Sequence, residues 1–151
     1  MGTSLKQGLQ LRWATVAAMA IATIIALLLL VPVEVRAEVT LCNLGSAAGE
    51  CDRPAGVSAD QVTGRAYVAD GWNNRIDVFD STGSFLFAFG WGVDDGAAVL
   101  QKCITASGCQ KGIAGSGPGQ FDGPASIAVD HAAERVYVTD EGSYRVQEFN
   151  P

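Results

Sequence analysis

Four cysteines, one histidine and a few paired carboxylates are the residues of this chain with chemistry to offer. The cysteines are Cys42, Cys51, Cys103 and Cys109. Zinc thiolates sit at tight spacings; eight and five intervening residues fit those spacings poorly, so no metal is expected. An even count points instead to disulfides in an oxidising compartment. Four cysteines allow three pairings. Cys42–Cys51 and Cys103–Cys109 are favoured, because each pair is close in sequence and sits in a Gly-rich stretch. His131 is the single histidine, which excludes a His-based metal cluster and removes the usual partner of a catalytic nucleophile. It falls in a turn and is expected to be exposed, with no catalytic partner. Asp94 and Asp95 are adjacent carboxylates, but calcium needs six to eight oxygens, so they read as solvated. No catalytic residue, metal or cofactor follows from these residues.

Two further pairs are read as structural. Asp70 and Arg75 flank a four-residue turn, and so do Asp140 and Arg145. Their recurrence comes from a repeat. Residues 45–80 align with residues 115–150 without a gap, at a shift of 70, and 13 of 36 positions are identical. Tyr67 matches Tyr137, Pro54 matches Pro124 and Gly49 matches Gly119. Self-similarity on this scale marks a repeat architecture, in which a recurring ion pair is expected from the stacking itself. The tyrosines read as packing between units with the hydroxyl at a rim, the prolines as fixing the entry to the innermost strand, and the glycines as supplying unusual backbone angles.

The elements that must position these residues are short strands. Val57 to Ala59, Arg65 to Ala69, Arg75 to Phe79 and Phe85 to Phe89 read as strands divided by Gly-, Asn- and Asp-rich turns. Asp70 to Asn74 is one of those turns, and the three phenylalanines of the fourth strand are expected to share a face. The second unit supplies Ser126 to Val129, Arg135 to Thr139 and Arg145 to Phe149. Four antiparallel strands in about 45 residues describe one blade of a β-propeller. The expected fold is therefore all-β, with one full and one partial four-stranded blade. A closed ring has at least about four blades, so the expectation is a fragment, or an oligomer joined through open blade edges.

The runs RPAGVSAD with GRAYVADGWNNRIDVFD, and GPGQFDGPASIAVD with RVYVTD and YRVQEFN, resemble the NHL-repeat family. The resemblance covers roughly residues 45–90 and 115–151. Cys51 stands where the second unit has Phe121, which implies a disulfide in place of an aromatic plug; Ser143-Tyr144 replaces Asn73-Asn74. Residues 91–114 are an insertion, read as a loop stapled by Cys103 and Cys109, similar to the cysteine-bearing insert of some exported bacterial NHL proteins. Lyases of this kind place metal-binding histidines around a central channel, which one histidine in a turn does not match. The family also includes ligases with Cys/His-rich modules, absent here, and RNA-binding proteins.

Charge and the amino terminus set the compartment. The formal charge is −6, against nucleic-acid binding. Residues 1–12 carry Lys6 and Arg12, and Trp13 to Val31 is an uncharged apolar run of 19 residues. Val35 and Ala37 suit a signal-peptidase cut before Glu38. Residues 1–37 read as a hydrophobic helix, either a cleaved signal peptide or a retained membrane anchor, and both place the rest outside the cytoplasm. From residue 38 there are 7 basic and 15 acidic residues, a charge of −8, which repels anionic polymers. The chain divides into 1–37, a first blade with its lead-in at 38–90, the insertion at 91–114 and a second blade at 115–151. The expected function is a non-enzymatic protein- or glycan-interaction scaffold with an unknown partner and no cofactor. The alternatives are the amino-terminal piece of a catalytic propeller, of lactonase or lyase type, and a sensor domain tethered through residues 13–31.

Overall fold

Strands form where β-branched and aromatic residues alternate, and Asx turns end them. The computed structural model describes residues 39–105 and 107–151; the apolar run Trp13 to Val31 and the Ala37/Glu38 cut site lie outside them. The described chain is nearly all β. Strands β1 (Asn43–Leu44) and β2 (Glu50–Cys51) form a short parallel pair. Strands β3 (Pro54–Ala59), β4 (Ala66–Asp70), β5 (Arg75–Phe79), β6 (Phe85–Trp91) and β7 (Leu100–Cys103) make one antiparallel sheet in chain order. Strands β8 (Pro124–Asp130), β9 (Arg135–Asp140) and β10 (Arg145–Phe149) make a second. The turns carry their own reasons. Asp60 Oδ1 accepts the Val62 and Thr63 amides, and Asp80 Oδ1 accepts those of Thr82 and Ser84. Gly64 and Gly83 then take the left-handed angle, at φ +71° and +84°.

The shift of 70 holds in detail and begins before residue 45. The β1–β2 pairing of Leu44 with Cys51 has its image in a parallel bridge between Ala114 and Phe121. The Gly45 amide bonds Cys51 O at 3.0 Å, and Gly115 bonds Phe121 O at 3.0 Å.

The two sheets stack head to tail. The rear of the first sheet presents Tyr67, Ala69, Ile76, Val78, Phe87 and Phe89; the front of the second presents Phe121, Val136, Val138 and Phe149. Phe149 lies 5.2 Å from both Phe89 and Phe121, centroid to centroid. Burying each such ring contributes roughly 1.5–3 kcal/mol. The front of the first sheet is the shift image of that contact. There Cys51, Val68 and Phe79 are buried under Leu41, Cys42 and Phe85.

Three expectations are corrected. The phenylalanines of β6 do not share a face. The β5–β6 register slips by one, with Val78 opposite Phe87 but Phe79 opposite Phe85. The bulge at Leu86 turns Phe85 to the front, edge-on to Phe79 at 6.0 Å. The insertion is not a plain loop, because β7 pairs with β6 and gives the first sheet a fifth strand. Finally, β3 and β8 start earlier, at Pro54 and Pro124, opposite Asp70 and Asp140, which end β4 and β9 and so flank the turns as expected. The register shifts after each proline, consistent with the amide that proline lacks.

Candidate functional site

The most elaborate side-chain network is a clasp that recurs in both units. In the first, Arg75 Nε lies 3.2 Å from Asp70 Oδ2 and 3.1 Å from Asp77 Oδ2, all fully buried. Its remaining nitrogens donate to the carbonyls of Ser46, Ala47, Glu50 and Gln110 at 2.7–3.2 Å. In the second, Arg145 Nε meets Asp140 Oδ2 at 3.1 Å and the guanidinium donates to Ser116, Gly117 and Gln120 O. Asp70 Oδ1 accepts the Asp52 amide at 2.7 Å, and Asp140 Oδ1 accepts that of Asp122 at 2.7 Å. Each clasp therefore ties the Gly-rich lead-in to the strands, which is work for a planar fork of five donors.

The clasps differ at two side chains: Asn73, which donates to Asp70 Oδ2 at 2.7 Å, is Ser143 in the second unit, and position 77 changes as well. Asp77 is replaced by Gln147, which donates to Gln120 O at 2.7 Å. Asp77 Oδ1 has no partner among the described residues. Burial, opposed by Arg75 and reinforced by Asp70, pushes the Asp77 carboxyl up to about 8. Burial also raises Asp70, which keeps hydrogen bonds from Asn73 Nδ2 and the Asp52 amide. Asp77 is the carboxyl that gains more from holding a proton, because its unpartnered oxygen is less costly in a neutral acid. Cys51, Asp70 and Asp77 bring potential ligand atoms within 4.8 Å of one another. The Cys51 sulfur is bonded to Cys42, and Arg75 already occupies Oδ2 of both Asp70 and Asp77, so the cluster does not fit a cation.

A cleft of about 270 Å³ opens between the units, lined by Asp60, Tyr67, Asp130, His131, Glu134 and Arg135 among others. His131 is half-exposed, and its Nδ1 lies 3.1 Å from Asp60 Oδ2, so it has a carboxylate partner that the sequence reading missed. The Thr63 hydroxyl, donating at 2.6 Å, holds Asp60 well below the usual carboxylate range, assisted by backbone amides and His131. Tyr67 is buried in the core and borders this cleft, whereas Tyr137 on the open rear of the second sheet is only partly buried.

On the opposite ends of the strands, Arg53 and Trp72 form an exposed pair. The guanidinium carbon stands 5.3 Å from the ring centroid. Arg53 adopts φ +54°, a left-handed angle costly for a side chain, and Trp72 is 55% exposed. The second unit has Gly123 and Gly142 at these positions, so the repeat does not require the pair. That contrast was the available sequence signal. Tyr144, 96% exposed at φ +50°, occupies the position of Asn74, whose Oδ1 accepts the Gly123 amide.

The cysteines and the other singled-out residues are placed as follows. Cys42 and Cys51 are bonded, with Cα atoms 5.7 Å apart, as are Cys103 and Cys109 at 5.5 Å. Gly49 and Gly119 take φ +73° and +80°. Asp95 Oδ1 accepts the Ala97 amide and Gln101 Nε2, and Gln101 Oε1 accepts the Asp94 amide, so this acidic pair organises the β6–β7 turn.

Sheet pairing, clasp and turns together define a tandem-repeat β protein in which each unit holds its own Arg–Asp clasp and the two meet through an apolar core. The NHL repeat model matches residues 52–79 and 121–149, so the chain carries two NHL repeats. No curated protein matches the chain.

Proposed function

We propose that the two sheets are neighbouring blades of a β-propeller, and that the protein is an exported, non-catalytic module contacting protein or glycan through its rim loops. The observation that carries this reading is the Arg53–Trp72 pair, an exposed aromatic and cation added where the other unit has two glycines. Exposed Trp and Arg are the residue types that dominate contact energies. Two disulfides favour an oxidising, extracytoplasmic setting. Screening the protein against immobilised glycans and extracellular protein fractions tests the contact. Arg53→Ala and Trp72→Ala should each weaken a selected ligand at least tenfold without altering the melt; unchanged binding by both refutes the rim site. Export is checked by amino-terminal sequencing of secreted material, which should begin at Glu38, whereas Met1 or Gly2 in the membrane fraction supports the anchor and with it the tethered sensor.

The catalytic alternative draws on the Asp60–His131 pair in its cleft. The Thr63 hydroxyl, which lines the same cleft, donates to Asp60 rather than to the imidazole, so it is not primed as a nucleophile. Lactone- or ester-hydrolysing activity abolished by His131→Ala would favour that reading over the first.

A further inference from the structure

We propose that the Arg53–Trp72 pair is a binding site for an acidic sugar, a pyranose that carries a carboxylate on its ring. The proposal rests on the rim reading above and names the chemistry of the ligand. Both repeats build the same backbone at this point. The Trp72 amide donates to Asp52 O at 3.0 Å and the Gly71 amide to Arg53 O at 3.3 Å. One repeat later the Gly142 amide donates to Asp122 O at 2.8 Å and the Glu141 amide to Gly123 O at 3.2 Å. The scaffold therefore needs neither side chain, and glycine suits position 53 better: Arg53 holds φ +54°, where Gly123 holds +74°. A strained angle that the fold does not require points to use of the side chain that bears it.

The pair is also held in place. Gly71 sits where a Cβ would come within 3.0 Å of Arg53 O and 3.4 Å of Pro124 O, so the turn carrying Trp72 is wedged against its own lead-in and the entry of the second sheet. Buried Asn73 donates through Nδ2 to Gly45 O at 2.8 Å and Asp70 Oδ2 at 2.7 Å. Asn74 Oδ1 closes the turn against the Gly123 amide at 3.0 Å. A platform fixed in this way loses little freedom on binding.

The chemistry of the two side chains selects the ligand. The guanidinium lies over the indole, and no described residue accepts a hydrogen bond from it, so a planar fork of five donors stays open to solvent. Such a fork takes a carboxylate in bidentate fashion. The indole remains 55% exposed and offers the apolar surface on which the C–H face of a sugar ring lies. A peptide is the poorer fit, because strand addition needs free main-chain groups and side-chain pockets. Here the amides of Gly71, Trp72, Gly123, Glu141 and Gly142 are all engaged. From residue 38 the chain has 7 basic and 15 acidic residues, which repels anionic polymers, so the ligand is a single acidic sugar in an otherwise neutral glycan.

The test titrates the chain, with both disulfides formed, against methyl β-D-glucuronide and its neutral counterpart methyl β-D-glucoside, following saturation transfer to the sugar ring protons by NMR. Saturable binding of the glucuronide is expected, about fivefold tighter than of the glucoside at low salt, with the gap closing as salt rises. Trp72→Ala should remove binding of both sugars without altering the melt. Arg53→Gly installs the residue of the other repeat; it should erase the preference and keep the glucoside affinity within about twofold. No saturation by about 10 mM, equal affinity for the two sugars, or a capped Gly-Asp-Gly peptide that binds as tightly as the glucuronide overturns the proposal. A ligand from the earlier screen that is lost with Trp72→Ala while neither sugar binds spares the rim reading and sinks this one. Sugar binding untouched by both substitutions sinks both.

Discussion

Asp77 carries its carboxyl fully buried beside Asp70 and Arg75. Its pKa is raised to about 8 in the folded chain, chiefly by burial, while the unfolded chain carries an ordinary carboxylate. The folded state therefore binds the extra proton. The stability this group contributes is fully present below about pH 4 and is lost as pH rises through about 8, with a limiting slope of about 1.4 kcal/mol per pH unit. Asp77→Asn mimics the amide that Gln147 supplies in the other unit. Chemical denaturation from pH 5 to 9 should show a falling stability for the parent chain and a flatter profile for Asp77→Asn. The buried guanidinium should dominate its neighbourhood. Arg75→Met leaves Asp70 uncompensated and is expected to cost about 3–5 kcal/mol. Arg145→Met, at a side chain 25% exposed, should cost less, about 1–2 kcal/mol after solvent screening; equal losses in the two denaturation curves would contradict the burial argument. The Asp–Arg pairs were legible because the repeat shows them twice. Asp77 was not, since only one copy carries it.

At the scale of elements, most strands could be read because alternation and turn residues mark them in both units. What escaped was set by pairing rather than by local pattern. The bulge that turns Phe85 away from Phe87 and Phe89 arises where β5 and β6 slip by one residue, and no feature of Phe85-Leu86-Phe87 announces it. Strand β7 has the sequence Leu-Gln-Lys-Cys, four residues of no marked β preference, and is a strand because β6 offers an edge and Cys103 is anchored to Cys109. Lys102 then lays its ammonium 3.9 Å from the Phe87 ring centroid. Removing the anchor with Cys103→Ser and Cys109→Ser should release β7 first. Hydrogen exchange measured by mass spectrometry is expected to lose protection at 100–103 while β4 and β5 stay protected; uniform loss would mean that the bond supports the whole sheet.

Across the whole molecule, the stacking contact has two unmatched halves. Val57 on the front of the first sheet is 64% exposed, although its image Ile127 packs against the core; Val146 on the rear of the second is 63% exposed, although its image Ile76 is buried. Exposed apolar faces of this kind favour association. Sedimentation should show concentration-dependent self-association of residues 38–151, reduced by Val146→Lys; a monomer unchanged by that substitution at all concentrations would contradict it. The repeat was visible in the sequence, but which face of each unit meets the other was not, because both faces of these strands carry apolar residues. The two halves are also unequal. Leu41 and the Cys42–Cys51 bond lie over the first sheet, while nothing described lies over the second beyond β10. Stacking therefore has a direction, like a row of bricks begun against a finished wall. A repeat placed ahead of β3 must first prise away a covalently pinned arm, so engineered lengthening on that side should require the Cys42–Cys51 bond to be removed first.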